Sequence, residues 1–476
     1  MNVRLLRSAL LLVLGFALSP SPAPAEFRLP RVFSDHMVLQ RDAPLPIWGW
    51  ANAGEKVTVR FADQEKSATA DPAGRWQVAL DALPASAEPR VLTVQVETQD
   101  APTAIKDVLV GEVWLCSGQS NMEWTVAQSA NPQAEIAAGN HPRIRHIKIP
   151  HTPAAKPQDE VPTEGWQVCS PQTVPRFTAV GYYFARQLQE KLDVPVGLIG
   201  SNWGGTRIEP WIPPEGFRSV EALRDIAQNL DRFPQTKGDK VMHQSALALY
   251  NGMIHPLVPY AIRGALWYQG ESNNGEGMLY HEKMKALIQG WRAVWKQGDF
   301  PFLFVQLAPF RYGGPRGNPA SLPGIWQAQA ATLALPHTGM AVTTDIGNVR
   351  DIHPKNKQEV GRRLALWALA KTYGHPNLVY SGPLYKSHTV ENNAIRIAFD
   401  HADGLRSADG MSLSHFEVAG EDRTFLPAAA RIDGSTILVS GVPKPVAVRF
   451  AWHQEAEPNL VNAAGLPAAP FRTDDW

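Results

Sequence analysis

The chain has 476 residues, with 45 Lys and Arg against 45 Asp and Glu, so its formal net charge is zero at pH 7. That balance offers no electrostatic footing for nucleic acid or an anionic membrane surface. The length suits two or three domains at roughly 150 residues each, with ample chain for a large core. The two cysteines, Cys116 and Cys169, form no zinc-site spacing with histidine, and no phosphate-loop pattern is present. No metal or cofactor is therefore expected.

Residues 1–25 read as a secretory signal peptide. Arg4 and Arg7 make a basic start, Ala9 to Leu18 is an apolar run too short to span a bilayer, and Ala23-Pro24-Ala25 fits the small-x-small cleavage pattern. A membrane anchor is the alternative. The expectation is an exported protein, periplasmic or extracellular, with no membrane attachment after cleavage and an oligomeric state left open.

Residues 26–106 look like a small β-sandwich. Val57-Thr58-Val59-Arg60-Phe61 and Leu92-Thr93-Val94-Gln95-Val96 alternate apolar and polar, and turns such as Asp71-Pro72-Ala73-Gly74 separate such runs. From 107 to 377 short apolar strands alternate with helical stretches. Strands are expected near Val113–Ser117, Ile144–Ile149, Val196–Ser201, Ala265–Tyr268, Phe302–Leu307 and Met340–Thr343. Tyr183, Phe184, Leu188 and Leu192 follow a helical period, as do Tyr280, Met284, Leu287, Ile288, Trp291 and Trp295. The alternation predicts an α/β fold whose parallel sheet is covered on both faces. A last helix should run from near Pro354 to Gly374, since proline suits a first turn and glycine a stop. Residues 378–476 turn β-rich again, with Ala394–Phe399 and Val446–Phe450, and a packing of this segment on the N-terminal one is the guess. Cys116 lies inside an apolar strand, so a buried free thiol stands beside a disulfide to Cys169 as an alternative. Of the 15 tryptophans, most should be core and some sugar-stacking faces.

Open parallel sheets bind ligands at the carboxyl ends of their strands. Four unusual clusters sit at four such ends: Gly118-Gln119-Ser120-Asn121, Asn202-Trp203-Gly204-Gly205-Thr206, Gln269-Gly270-Glu271-Ser272-Asn273, and Asp345-Ile346-Gly347 with Asp351-Ile352-His353-Pro354 beyond it. Acyl transfer needs a nucleophile, a base, a group that orients the base, and donors for the developing oxyanion. Ser120 is the candidate nucleophile and His353 the best placed of 14 histidines for the base. Asp351 is the candidate orienting acid and Asp345 its rival. The backbone N–H of Ser120, an N–H of the Gly204-Gly205 pair, and an amide from Gln269 or Asn273 are the candidate oxyanion donors. Each residue also has a plain alternative: an N-cap for Ser120, a surface or cap histidine, a turn aspartate, a tight turn for the glycines, and a loop-internal hydrogen bond for the amides. Glu271 braces this loop or binds Arg207.

At these residues the chain resembles the sialate O-acetylesterase family, a branch of the SGNH (GDSL-like) hydrolases. Leu39-Gln40-Arg41 with Trp48-Gly49-Trp50 looks like the family's N-terminal β domain. Trp114 to Met122 matches the nucleophile block, and Gly204-Gly205-Thr206 with Trp211 the glycine block. Tyr250 to Ile254 and Trp267 to Asn273 match the third, and Ile352 to Lys357 with Gly361-Arg362-Arg363-Leu364 the histidine block. The resemblance implies an SGNH-type α/β/α hydrolase domain flanked by β segments, metal-independent ester hydrolysis, and an acetylated carbohydrate as substrate. It would make Ser120 nucleophile and His353 base. Two departures from the broader SGNH pattern stand out. The acid usually three residues before the histidine is Arg350 here, and the usual Gly-x-Asn-Asp block is Gln269-Gly270-Glu271-Ser272-Asn273. The acid is therefore Asp351 or another residue, or the site is a dyad. The sugar is a sialate, for which Arg207 is the candidate cation, or a plant polysaccharide such as xylan or xyloglucan. A non-catalytic carbohydrate-binding protein is the reading from another class.

Overall fold

The computed structural model describes residues 27–476, so the signal-peptide reading of residues 1–25 lies outside the described residues. Seven strands build the central sheet: β1 Thr103–Gly118, β2 His141–Lys148, β3 Trp166–Cys169, β4 Val196–Asn202, β5 Gly264–Tyr268, β6 Phe302–Val305 and β7 Thr338–Ala341. Their order is β7-β6-β5-β1-β4-β2-β3. All neighbours run parallel except the β2–β3 edge pair. Every residue of β4 and β5 is buried, which is why these strands read as unbroken apolar runs rather than alternating ones. The short edge strand β3 carries no such run and gave no signal in the sequence.

Helices α1 Ser120–Glu123, α2 Ala179–Leu192, α3 Leu279–Trp295, α4 Ser321–Thr332 and α5 Lys357–Trp367 accompany the sheet. The last begins at Lys357, not near Pro354, because the Asn356 side chain accepts the Glu359 N–H at 3.1 Å and caps the helix there. Pro354 is left in the preceding loop, beside His353. A π-helical turn, Ala368–Thr372, continues the helix toward Gly374.

The N-terminal strands are continuous with this sheet. The first half of β1 pairs antiparallel with Ser86–Val96, and Val38–Gln40 runs parallel to Leu109–Gly111. The expected boundary at 106/107 thus falls inside one strand, and one apolar core spans both regions. Glu112 of β1 is fully buried at this junction, where it accepts from Arg41, from Arg263 Nε at 2.7 Å and from Gln40 Nε2 at 3.2 Å. Removing a buried ion-pair partner leaves its mates uncompensated. Glu112→Gln should therefore destabilise the protein by about 3 kcal/mol, read as a lower denaturation midpoint. An unchanged midpoint would show that the two arginines are solvated well enough without it.

The C-terminal region forms two four-stranded antiparallel sheets around its own core of Ile395, Ile397, Val418, Ile437, Val439, Val448 and Phe450. It docks on the 310–319 loop of the α/β domain. Gln454 donates its N–H to Pro319 O at 2.8 Å and accepts from Phe310 N at 2.9 Å and Tyr312 N at 3.1 Å. Among the described residues no hydrogen bond or ion pair joins it to the N-terminal strands, so the guessed packing of the two β regions is replaced by this one. Cys116 and Cys169 are both free and buried.

Candidate active site

The strand order reverses at β1, whose end is flanked by β4 on one side and β5 on the other. Such a switch point opens a crevice. Gly118 ends β1 with φ +130, and a Cβ there would lie 2.2 Å from Tyr268 O. Only glycine fits a backbone this close to its neighbour. The chain then turns: Gln119 N donates to Tyr268 O at 3.0 Å, and Ser120 opens the four-residue α1. The cap position belongs to Gln119, so the Ser120 hydroxyl is not spent on capping.

Ser120 Oγ and His353 Nε2 are 2.9 Å apart. Their loops are 233 residues apart in sequence and meet at the crevice. Trp124 stacks on the imidazole, with centroids 4.6 Å apart and planes 19° apart. Burial lowers the pKa of His353, the Lys357 ammonium lowers it further, and Asp351 opposes both. Asp351 Oδ1 stands 4.0 Å from His353 Nδ1, outside hydrogen-bond reach, and accepts the His353 backbone N–H at 3.0 Å instead. Asp345 is turned away. Both its oxygens take Arg363 N–H groups at 2.6 Å.

The candidate oxyanion donors separate into free and engaged. Gly204 N–H donates to Glu123 Oε2 at 2.7 Å. The N–H groups of Ser120 and Gly205 find no acceptor among the described residues, and Gly205 holds φ +74. Gly204 is pressed on Ser120, since a Cβ there would come within 3.2 Å of Ser120 Cβ. Gln269 and Asn273 face the scaffold. Gln269 Nε2 donates to Thr206 O and Asn273 Oδ1, and its Oε1 accepts from Tyr280 at 2.8 Å. Asn273 Nδ2 donates to Glu209 and Glu276, both at 3.1 Å, and its Oδ1 also takes Ile208 N. Both hydrogens of each amide are committed, so these two side chains brace the glycine loop from behind and leave no donor for the crevice. Arg207 pairs with Glu209 at 2.9 Å and with Glu276, not with Glu271.

Residues 110–370, which hold all of these groups, match the family described as carbohydrate esterase, sialic acid-specific acetylesterase. The chain belongs to this family. The sialate O-acetylesterase of Rattus norvegicus is 30% identical over 97% of this chain and 97% of its own. That of Homo sapiens is 30% identical over 97% and 96%. A solved carbohydrate acetylesterase from Xanthomonas citri matches with a TM-score of 0.87 and 39% identity, covering 95% of this chain and 100% of its own. The family's activity is that of a carboxylic ester hydrolase, directed at O-acetyl groups.

Sequence reasoning missed several residues of the esterase's crevice. Glu123 accepts from His151 Nε2 at 2.8 Å, from Lys148 Nζ at 3.3 Å and from Gly204 N–H. Burial pushes this carboxyl up, but His151, Lys148 and the Gly204 N–H outweigh it and hold the pKa at about 2. Trp203 stacks with two imidazoles, His151 at 4.3 Å and His243 at 4.7 Å. Asn121 and Lys357 lie beside the Ser120–His353 pair and are fully enclosed. The signal for Asn121 and Lys357 was position alone, one residue after the serine and four after the histidine; Glu123 had none.

Proposed function

We propose that the esterase works through Ser120 as nucleophile and His353 as base, by way of an acetyl-serine. The 2.9 Å contact between Ser120 Oγ and His353 Nε2 carries this reading. Ser120 Oγ attacks the acetyl carbonyl as its proton passes to Nε2. The N–H groups of Ser120 and Gly205 face the developing oxyanion, and the sugar oxygen leaves with the proton from Nε2. Water, deprotonated by the same nitrogen, then releases acetate and restores the serine. Asp351 acts across 4.0 Å by charge on the imidazolium. Covalent labelling by a serine-directed organophosphonate, located by peptide mass, tests the nucleophile. Label on another residue would move the nucleophile there, and no label at all would end the serine assignment.

For the sugar, we favour a neutral acetylated polysaccharide such as xylan or xyloglucan over a sialate. Arg207, the guanidinium the sequence offers for a sialate carboxylate, is neutralised by Glu209 and Glu276. Acetate release from acetylated xylan, xyloglucan and O-acetyl sialic acids in parallel separates the two, and faster release from the sialates would reverse the preference. Export rests on residues 1–25, and N-terminal sequencing of the mature protein tests it; a retained Met1 in exported protein would argue against cleavage.

The base must be neutral to act, so kcat/KM should rise with pH through the His353 pKa. Asp351 raises that pKa. Asp351→Asn should therefore move the rise to lower pH, by about 0.7 unit, as ~1 kcal/mol between unit charges 4 Å apart in water implies. Asp345→Asn should leave it in place, because Asp345 answers to Arg363. A shift with the Asp345 variant alone would transfer the role.

A further inference from the structure

Three loops meet beneath the catalytic pair, and one side chain touches all of them. Asn121, the residue after the serine, donates Nδ2 to Glu271 Oε1 at 2.6 Å and to Ile352 O at 3.0 Å. Its Oδ1 accepts from Lys357 Nζ. Ile352 immediately precedes His353, and Lys357 opens α5 four residues beyond it. Asn121 is 1% exposed, Lys357 0% and Glu271 9%. Lys357 Nζ also lies 5.2 Å from the Tyr268 ring centroid and 5.8 Å from that of Trp124, the indole stacked on His353.

We propose that Asn121 and Lys357, anchored by Glu271, form a buried clamp that sets the distance between Ser120 Oγ and His353 Nε2. This rests on the reading of those two residues as nucleophile and base. The amide of Asn121 supplies what the place requires. It must donate twice, to a carboxylate and a carbonyl, and accept once, from an ammonium. Aspartate has no donor and leucine neither donor nor acceptor. Because the clamp fastens residues 121 and 352, each adjacent to a reacting residue, its loosening moves the reacting atoms directly. A misplacement of about 1 Å can cost about 10² in rate.

The clamp also has an electrostatic face. Burial drives Lys357 down to about 7, while Glu271 and Asp351 pull it back up. Burial drives Glu271 up, against Asn121 and Lys357. The groups facing Lys357 are thus Glu271, Asp351 and His353, with the Tyr268 and Trp124 rings, and those facing His353 are Lys357, Asp351 and Ser120. A positive Lys357 disfavours the imidazolium and keeps the base free of its proton.

Lys357→Met and Asn121→Leu test the clamp, with Lys357→Arg as the conservative control. Both disruptive variants should lose about 10² in kcat on a small chromogenic acetyl ester with KM little changed. Organophosphonate labelling of Ser120 should slow in parallel. Lys357→Met should in addition move the acid limb of kcat/KM to higher pH, whereas Lys357→Arg should keep the limb near its wild-type position. A merely structural lysine would lower the amount of folded enzyme without moving that limb. If either variant fails to fold, Asn121→Ser, which keeps a small polar group, takes its place in the labelling assay. Wild-type labelling rates and an unmoved limb in folded variants would overturn the clamp. Absence of label at Ser120 in the wild-type enzyme would instead remove the serine reading itself.

Discussion

Ser120→Ala should lower kcat for acetyl ester hydrolysis by about 10⁶-fold and leave the fold intact. Among the described residues the hydroxyl has a single hydrogen-bond partner, His353, and the side chain is only partly buried. Its loss opens no cavity of consequence and orphans no core group. In the proposed mechanism, all it removes is the atom that attacks and the donor that shares a proton with Nε2. His353→Gln should cost a similar amount, and the double variant should be no worse than either single one, because a nucleophile and its base act as a unit. Residual turnover then reports what binding and the backbone donors do alone, roughly 10³–10⁴ over water in such sites. The measurement is initial rate on a chromogenic acetyl ester, with circular dichroism to show folding. Activity within tenfold of wild type in a folded Ser120→Ala enzyme would move the nucleophile elsewhere.

Why the sequence revealed this pair but not its surroundings has a physical basis. Ser120 stands after a strand that ends in a glycine, and His353 stands before a proline and a capped helix. Local chemistry marks such positions, because backbone geometry forces the residue type: Gly118 is the one residue that tolerates Tyr268 O at its Cα. Glu123 carries no mark of this kind. Its partners His151, Lys148 and Gly204 come from three other segments, and nothing in its own neighbourhood signals them. Gln269 and Asn273 show the converse. Residue type and place fitted oxyanion donors, but the direction in which an amide points is set by its neighbours, here Thr206, Tyr280, Glu209 and Glu276. The fold followed the same division. Strands buried on both faces announced themselves as apolar runs. The passage of β1 across the expected boundary did not, because its first five residues are mostly exposed while the strand from Val108 onward is wholly buried, and the change of pattern mimics a change of domain.

Glu123→Ala should reduce kcat by about 10²-fold with little change in KM, the scale of losing one oxyanion donor. The carboxylate is engaged by His151, Lys148 and the Gly204 N–H. It holds the Gly204 N–H at 2.7 Å and so fixes the loop on which the Gly205 N–H is presented. With Gly204 engaged, the Gly205 N–H is the candidate donor left of the glycine pair. Neither glycine has a Cβ to restrict its backbone, so the loop depends on Glu123 for its aim. Glu123→Gln separates charge from geometry. Its amide oxygen can still accept the Gly204 N–H, so turnover should stay well above that of the alanine variant. The carboxyl pKa of about 2 keeps Glu123 ionised throughout the range in which His353 titrates, so neither variant should add a new limb to the pH profile. Steady-state kinetics on the same acetyl ester decide the matter: an alanine variant within threefold of wild type would mean that the glycine loop holds its shape unaided. A glutamine variant as slow as alanine would mean that the negative charge, facing Lys148 and His151, is what orders the crevice.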